Sequence, residues 1–173
     1  MSFARVRALA VVGALVLAAA IFVTVALLKD RQSGPSAATG CGEGAVIANT
    51  KLPEPQDVKI NVYNATDKPG QANAVKTEFH NRKFQVGKSG NDPAKFKGVA
   101  LLRYGPKAVG AAWLLRAYFL NDVQADFDIK RTDDTVDVII GPSFKQLATT
   151  TEVNQSLAQL GNPTLPEGTC AAA

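Results

Sequence analysis

The sequence predicts an α+β sandwich, with helices on one face of a mixed sheet of four to five strands, preceded by one transmembrane helix. Three observations lead there. The run VKINVY from Val58 to Tyr63 alternates apolar and polar residues with period two, as a half-buried strand does. Ala72, Val75 and Phe79 then recur at three- and four-residue spacing, one face of a helix that must lie on a sheet. The elements continue in the order β-α-β-β-α-β-β, two βαβ-like halves, which implies a layer of helices on a mixed sheet.

Residues 1–7 read as a cytoplasmic amino terminus. Ala8 to Leu28 is an uncharged run of 21 residues rich in Ala, Val and Leu. It is long enough to cross roughly 30 Å of hydrocarbon and longer than the apolar stretch of a cleaved leader. Arg5 and Arg7 before it balance Lys29 and Arg31 after it, so flanking charge leaves its orientation open. Residues 29–56, with Pro35, Pro53 and Pro55, read as an extracytoplasmic linker.

Within the domain expected over 57–160, Asn64 to Gly70 is a polar turn and the first helix runs to about Arg82. Phe84 to Val86 is a short strand. Val99 to Tyr104 is nearly all apolar, as a central strand covered on both faces would be. The second helix, 107–121, is apolar around its circumference, so two of its sides need cover. One is the sheet. The other is the chain's own tail or a second molecule, which makes Trp113, Leu114 and Tyr118 a candidate protein-interaction surface and a homodimer the alternative assembly. Ala125 to Lys130 alternates, with Phe127 and Ile129 facing inward, and Val136 to Ile140 returns after Thr132–Thr135 as its antiparallel hairpin partner. Glu152 to Leu160 forms a last helix capped by Thr151, and residues 161–173 are a tail carrying Cys170.

The formal net charge of +4 divides into +3 for residues 1–31 (four bases, one acid) and +1 for 32–173 (15 bases, 14 acids). So even a balance argues against a nucleic-acid partner. Locally, 76–107 carries eight bases against Glu78 and Asp92. Arg82, Lys83, Lys88, Lys95 and Lys97 form a candidate basic face toward an anionic polymer, set against the plainer reading of an ordinary solvated surface.

Cys41 and Cys170 are the only cysteines and bracket the folded part. A disulfide between them is one reading and two separate thiols in the tails the other. A bridge requires an oxidising compartment, which would place the amino terminus in the cytosol and the domain outside the membrane. Closing a loop of this length contributes roughly 4–5 kcal/mol in the chain-entropy model. His80 is the sole histidine, so no zinc site and no nucleophile–base triad can be assembled from the usual residues. The expectation is a protein without metal, cofactor or catalytic residues.

VKINVYNAT from Val58 to Thr66, followed by PGQA, Val75 and Phe79, resembles the opening of the LytR C-terminal domain family. LLRYG from Leu101, AAWL from Ala111 and TVDVIIGPSF from Thr135 to Phe144 are similar to its later strands. Asn91 to Pro93, Ala112 to Leu114 and the near-terminal cysteine are similar to its mycobacterial envelope-integrity members. The resemblance implies a single-pass membrane protein of an actinobacterial envelope. Its extracytoplasmic module would support envelope integrity by binding cell-wall polymer or envelope-assembly proteins. Many relatives carry a preceding phosphotransferase domain, for which this chain has no room, so their enzymatic activity is not implied.

Overall fold

The computed structural model describes residues 12–13, 15–20 and 44–171. Of the expected span 8–28, only 12–13 and 15–20 belong to that set; they are helical, with Val12, Leu15, Val16 and Leu17 exposed. The rest of the span, and Cys41, lie outside the described residues. Among the described residues no helix is long and apolar enough to cross a membrane. Residues 44–171 fall in the second of the chain's two units, Gly40–Ala173.

Strand β1 (Val46–Ala48) opens this unit, and β2 (Lys59–Asn64) realises the period-two run. Ile60, Val62 and Asn64 are buried, while Lys59, Asn61 and Tyr63 take the opposite face. Helix α1 (Gln71–Asn81) buries Ala72, Val75 and Phe79 against β2 and β3 (Gln85–Asn91). It ends through Lys83, whose φ of 74° is left-handed. That turn lets the Phe84 N–H donate to the Phe79 carbonyl at 3.1 Å and sets the two rings edge to face, 5.1 Å apart.

The second half repeats the plan with β4 (Ala100–Tyr104), a one-turn 3₁₀ helix (Pro106–Ala108), α2 (Val109–Tyr118) and β5 (Val123–Phe127). β6 (Thr135–Ile140), α3 (Thr150–Leu160) and β7 (Thr169–Ala171) complete the chain. Five strands form one mixed sheet in the order β3-β2-β6-β4-β5. β2 is parallel to both β3 and β6, and β4 is parallel to β5 but antiparallel to β6. Helix-facing residues of β2, β4 and β6 share one core with α1, α2 and α3.

The β5–β6 hairpin is not formed, because β4 lies between the two strands. The physical reason is burial. Val136, Val138, Ile139 and Ile140 are each 0 % exposed and need neighbours on both edges, whereas β5, with Gln124, Ala125 and Asp126 exposed, suits a sheet margin. β5 stops at Phe127, so Ile129, expected to face inward, is 39 % exposed. The cap of α3 is Thr149 rather than Thr151. Its hydroxyl accepts the Glu152 N–H while the Glu152 carboxylate accepts the Thr149 N–H, a reciprocal capping box.

The ends of the linker and tail read from the sequence are built into this unit. β1 pairs in parallel with β7, placing Ile47 opposite Cys170. The following segment, Asn49–Lys51, crosses α2 at Gly110, whose N–H donates to the Asn49 carbonyl at 2.9 Å. Only glycine fits there, since a Cβ would collide with the Lys51 carbonyl. On the neighbouring side the Trp113 indole N–H donates to the Gly161 carbonyl at 3.0 Å, and the Arg116 guanidinium lies 4.7 Å over the ring. The two sides of the apolar helix are therefore covered by one chain. Trp113, Leu114 and Tyr118, expected as a candidate interaction surface, are instead buried within this unit, and of the large apolar residues of 107–121 Leu120 stays exposed.

Candidate functional site

At the carboxyl ends of β2, β3 and β6 the chain opens into a cleft of about 920 Å³. Open sheets commonly place ligands beyond the carboxyl ends of their parallel strands. One wall is the turn after β2, held by Asn64, whose side chain is 5 % exposed. Its Oδ1 accepts the Thr66 N–H at 3.0 Å and the Thr66 hydroxyl at 2.8 Å, and its Nδ2 donates to the Lys68 carbonyl at 2.8 Å. This is the local hydrogen-bonding habit that favours Asn in turns.

The opposite wall is the loop after β3, from Asp92 to Gly98. The Asp92 N–H donates to the Asn64 carbonyl at 2.9 Å, tying the walls together at the base. The Asp92 carboxylate accepts the Ala94 N–H at 2.8 Å and pairs with Arg103 at 3.2 Å; Arg103 also pairs with Asp126 at 2.9 Å. Farther along, the Ser143 N–H donates to the Gly98 carbonyl at 3.0 Å. Phe96 lies against Gly141, where any side chain would strike the Gly98 carbonyl and the Phe96 ring. Both walls are thus fixed by hydrogen bonds and close packing before any ligand arrives.

Lys95 and Lys97 are exposed on the lining of the cleft and, among the described residues, make no ion pair. Asp67 and Asn91, also on the lining, make no side-chain hydrogen bond among the described residues. A smaller hollow of about 170 Å³ between the start of α1 and the end of β3 shares Asn64 and Asn91 with the cleft.

The sheet face away from the helices sets Tyr63, Leu101 and Ile139 beside a polar network. Asn61 on β2 donates to Asp137 on β6 at 2.8 Å, and Arg131 joins Asp137 at 2.8 Å and Asp133 at 2.9 Å. Of the neighbouring acids, Asp134 pairs with Lys59 at 2.8 Å and Asp126 with Arg103. The hydrogen bond from Arg131 holds the Asp133 carboxyl below the usual carboxylate range. Burial pushes the phenols of Tyr104 and Tyr118 up, and burial with the nearby Asp137 charge does the same for Tyr63, so none offers a phenolate near neutrality. The residues lining the cleft include no His or Cys, so they supply no imidazole or thiolate for nucleophilic catalysis. Among the described residues, no group of three or more His, Cys, Asp or Glu side chains is placed to hold a metal ion.

The five bases of the expected basic face are not contiguous. Lys95 and Lys97 share the cleft, whereas Arg82 and Lys83 sit where α1 ends, beside the opposite end of β3. Arg82 is already engaged, bonded to the Ala148 carbonyl and 5.5 Å over the Tyr118 ring. Lys88 lies between the two groups, on β3. Asn64, Asp92 and Arg103 fall in stretches read from the sequence as a turn or a family motif, and neither they nor Phe96 are among the expected site residues, although all four shape the cleft. The Asn-x-Thr spacing at 64–66 was the one available signal for a side-chain-bonded turn.

The family model described as LytR cell envelope-related transcriptional attenuator (LytR_C) matches residues 57–144, 88 of the 173 residues. The chain belongs to the LytR_C family. The matched range runs from before β2 to just past β6 and includes both walls of the cleft. No curated protein matches the chain. Among solved structures it is similar to the soluble domain of a conserved hypothetical secreted protein, an Rv2700 ortholog, from Mycobacterium marinum. That likeness has 25% identity and a TM-score of 0.50 and covers 70% of this chain and 83% of the other.

Proposed function

We propose that this LytR_C protein is a membrane-anchored, extracytoplasmic, non-enzymatic module that supports cell-envelope integrity by binding cell-wall polymer in the cleft between its 64–70 and 91–98 loops. The observation that carries the reading is the cleft itself. Its walls are tied together by hydrogen bonds, its two lysines make no ion pair among the described residues, and its lining holds no imidazole or thiolate. Placement outside the membrane is supported by the family's link to the cell envelope and by the secreted M. marinum relative. The exposed apolar side chains of the N-terminal helical residues suit an anchor whose amino terminus stays cytoplasmic.

A Cys41–Cys170 bridge belongs to the same proposal. Among the described residues no cysteine is a free thiol, and β1–β7 pairing brings the start of the folded unit alongside Cys170. Cosedimentation of the full chain with purified wall material tests the function. Saturable pelleting is expected, and a chain that stays in the supernatant at excess wall refutes wall-polymer binding and would turn the reading toward envelope-assembly proteins.

A further inference from the structure

We infer that the cleft takes an anionic saccharide, its acidic group held by Lys95 and Lys97 and its ring and hydroxyls by Phe96, Asp67 and Asn91. This rests on the reading of the cleft as the binding site and names the chemistry of its ligand.

The charges of the two walls are not equivalent. Asp92 is neutralised inside its wall by Arg103 and by the Ala94 N–H, so it does not oppose an incoming anion. Lys95 and Lys97 have no such partner among the described residues and present positive charge to the opening. Asp67, on the facing wall, is likewise unpaired. A carboxylate that only accepts hydrogen bonds suits a sugar hydroxyl and repels a second acid. Asn91 adds an amide that can both donate and accept.

Phe96 supplies an apolar plate, seated against Gly141 and Gly98 so that its orientation is set by backbone. A pyranose has one apolar C–H face and a rim of hydroxyls. An acidic pyranose therefore matches all three features, whereas a simple anion uses only the lysines. A volume of about 920 Å³ lies in the roughly 300–1,000 Å³ range of small-molecule sites and accommodates more than one sugar ring.

Isothermal titration calorimetry of the full chain tests this with four probes: tetragalacturonate, a glycerol-phosphate oligomer carrying sugar substituents, neutral chitotetraose and pentaglutamate. Binding of either anionic glycan supports the assignment, and which of the two binds identifies the acid as carboxylate or phosphodiester. Chitotetraose and pentaglutamate are each expected to bind at least about tenfold more weakly. Lys95→Glu combined with Lys97→Glu should weaken glycan binding about tenfold or more and flatten its dependence on salt, since the exposed lysines act mainly through screened attraction of the ligand. The same protein should keep its thermal transition, because neither lysine holds a wall together. Asp67→Ala should weaken the glycan while tightening pentaglutamate, opposite signs that a purely electrostatic patch would not give.

Equal binding of chitotetraose or of pentaglutamate overturns the inference, as does a double reversal that leaves glycan affinity unchanged. The outcomes separate from those for the broader function. Wall material retained by the doubly reversed chain would leave the envelope role standing and remove this site. Oligosaccharide binding without wall retention would leave the site standing and remove the role.

Discussion

Replacing Asn64 with Ala tests whether the cleft is held open from within. The side chain is 5 % exposed and makes three hydrogen bonds, two accepted from Thr66 and one donated to Lys68. A net contribution of about 0.5–1.5 kcal/mol per bond would give up to about 4.5 kcal/mol. Lys68 is exposed and Thr66 partly so, hence water recovers part of that, and about 2 kcal/mol is the expected loss. For a unit of this size that corresponds to a fall of about 8 °C in Tm. Urea denaturation should show a lower midpoint with unchanged slope, and hydrogen exchange at the Thr66 amide should accelerate far more than at Val138. Asn64→Asp keeps both acceptor contacts but turns a carboxylate toward the Lys68 carbonyl. It should be less stable than wild type at pH 7 and recover part of the loss when protonated, since the acid can then donate. A loss under about 0.5 kcal/mol for Asn64→Ala, with Thr66 exchange unaltered, would refute the idea that this side chain organises the wall.

Phe79→Ala removes a fully buried ring in contact with Phe84, Tyr118 and Phe119, at centroid distances of 5.1, 5.8 and 6.2 Å, and should cost about 3–5 kcal/mol in urea denaturation. Lys83→Gly relieves a left-handed residue and should stabilise by about 0.5–1 kcal/mol, visible as a higher urea midpoint. The carboxyls of Asp133, bonded by Arg131, and Glu152, bonded by the Thr149 N–H, are both held down in the folded state. Their contribution is therefore complete above the unfolded values near pH 4 and is lost as pH falls through the lower folded ones. Thermal melts between pH 6 and pH 2 should show this acid-side decline, and Asp133→Asn should remove part of it, about 1 kcal/mol or less for so exposed a pair.

Much of the fold was legible because its signals are local. The alternation at Val58–Tyr63 and the spacing of Ala72, Val75 and Phe79 each reflect one element facing one core. Strand partners were not legible. Thr132–Thr135 looks like a hairpin turn, and nothing nearby records that β4 occupies the slot beside β6. The cover of α2 was missed for a similar reason: Asn49–Lys51 and Gly161 lie in segments whose Pro and Gly content reads as linker and tail. The candidate site divides the same way. Lys95 and Lys97 stand out as charges, but their separation from Arg82 and Lys83 depends on the course of β3. Asn64 matters because Asp92, 28 residues later, returns to its carbonyl.

The order in which the sheet is made differs from the order in which it is arranged. β6 is the last of its five strands to be synthesised and the middle one in space. Until Ile140 has emerged, β2–β3 and β4–β5 are two half-sheets with bare inner edges and nothing between them to pair with. A nascent chain stalled before residue 135 thus holds two incomplete pieces rather than a smaller working protein, and those raw edges must be kept from foreign strands until the keystone arrives.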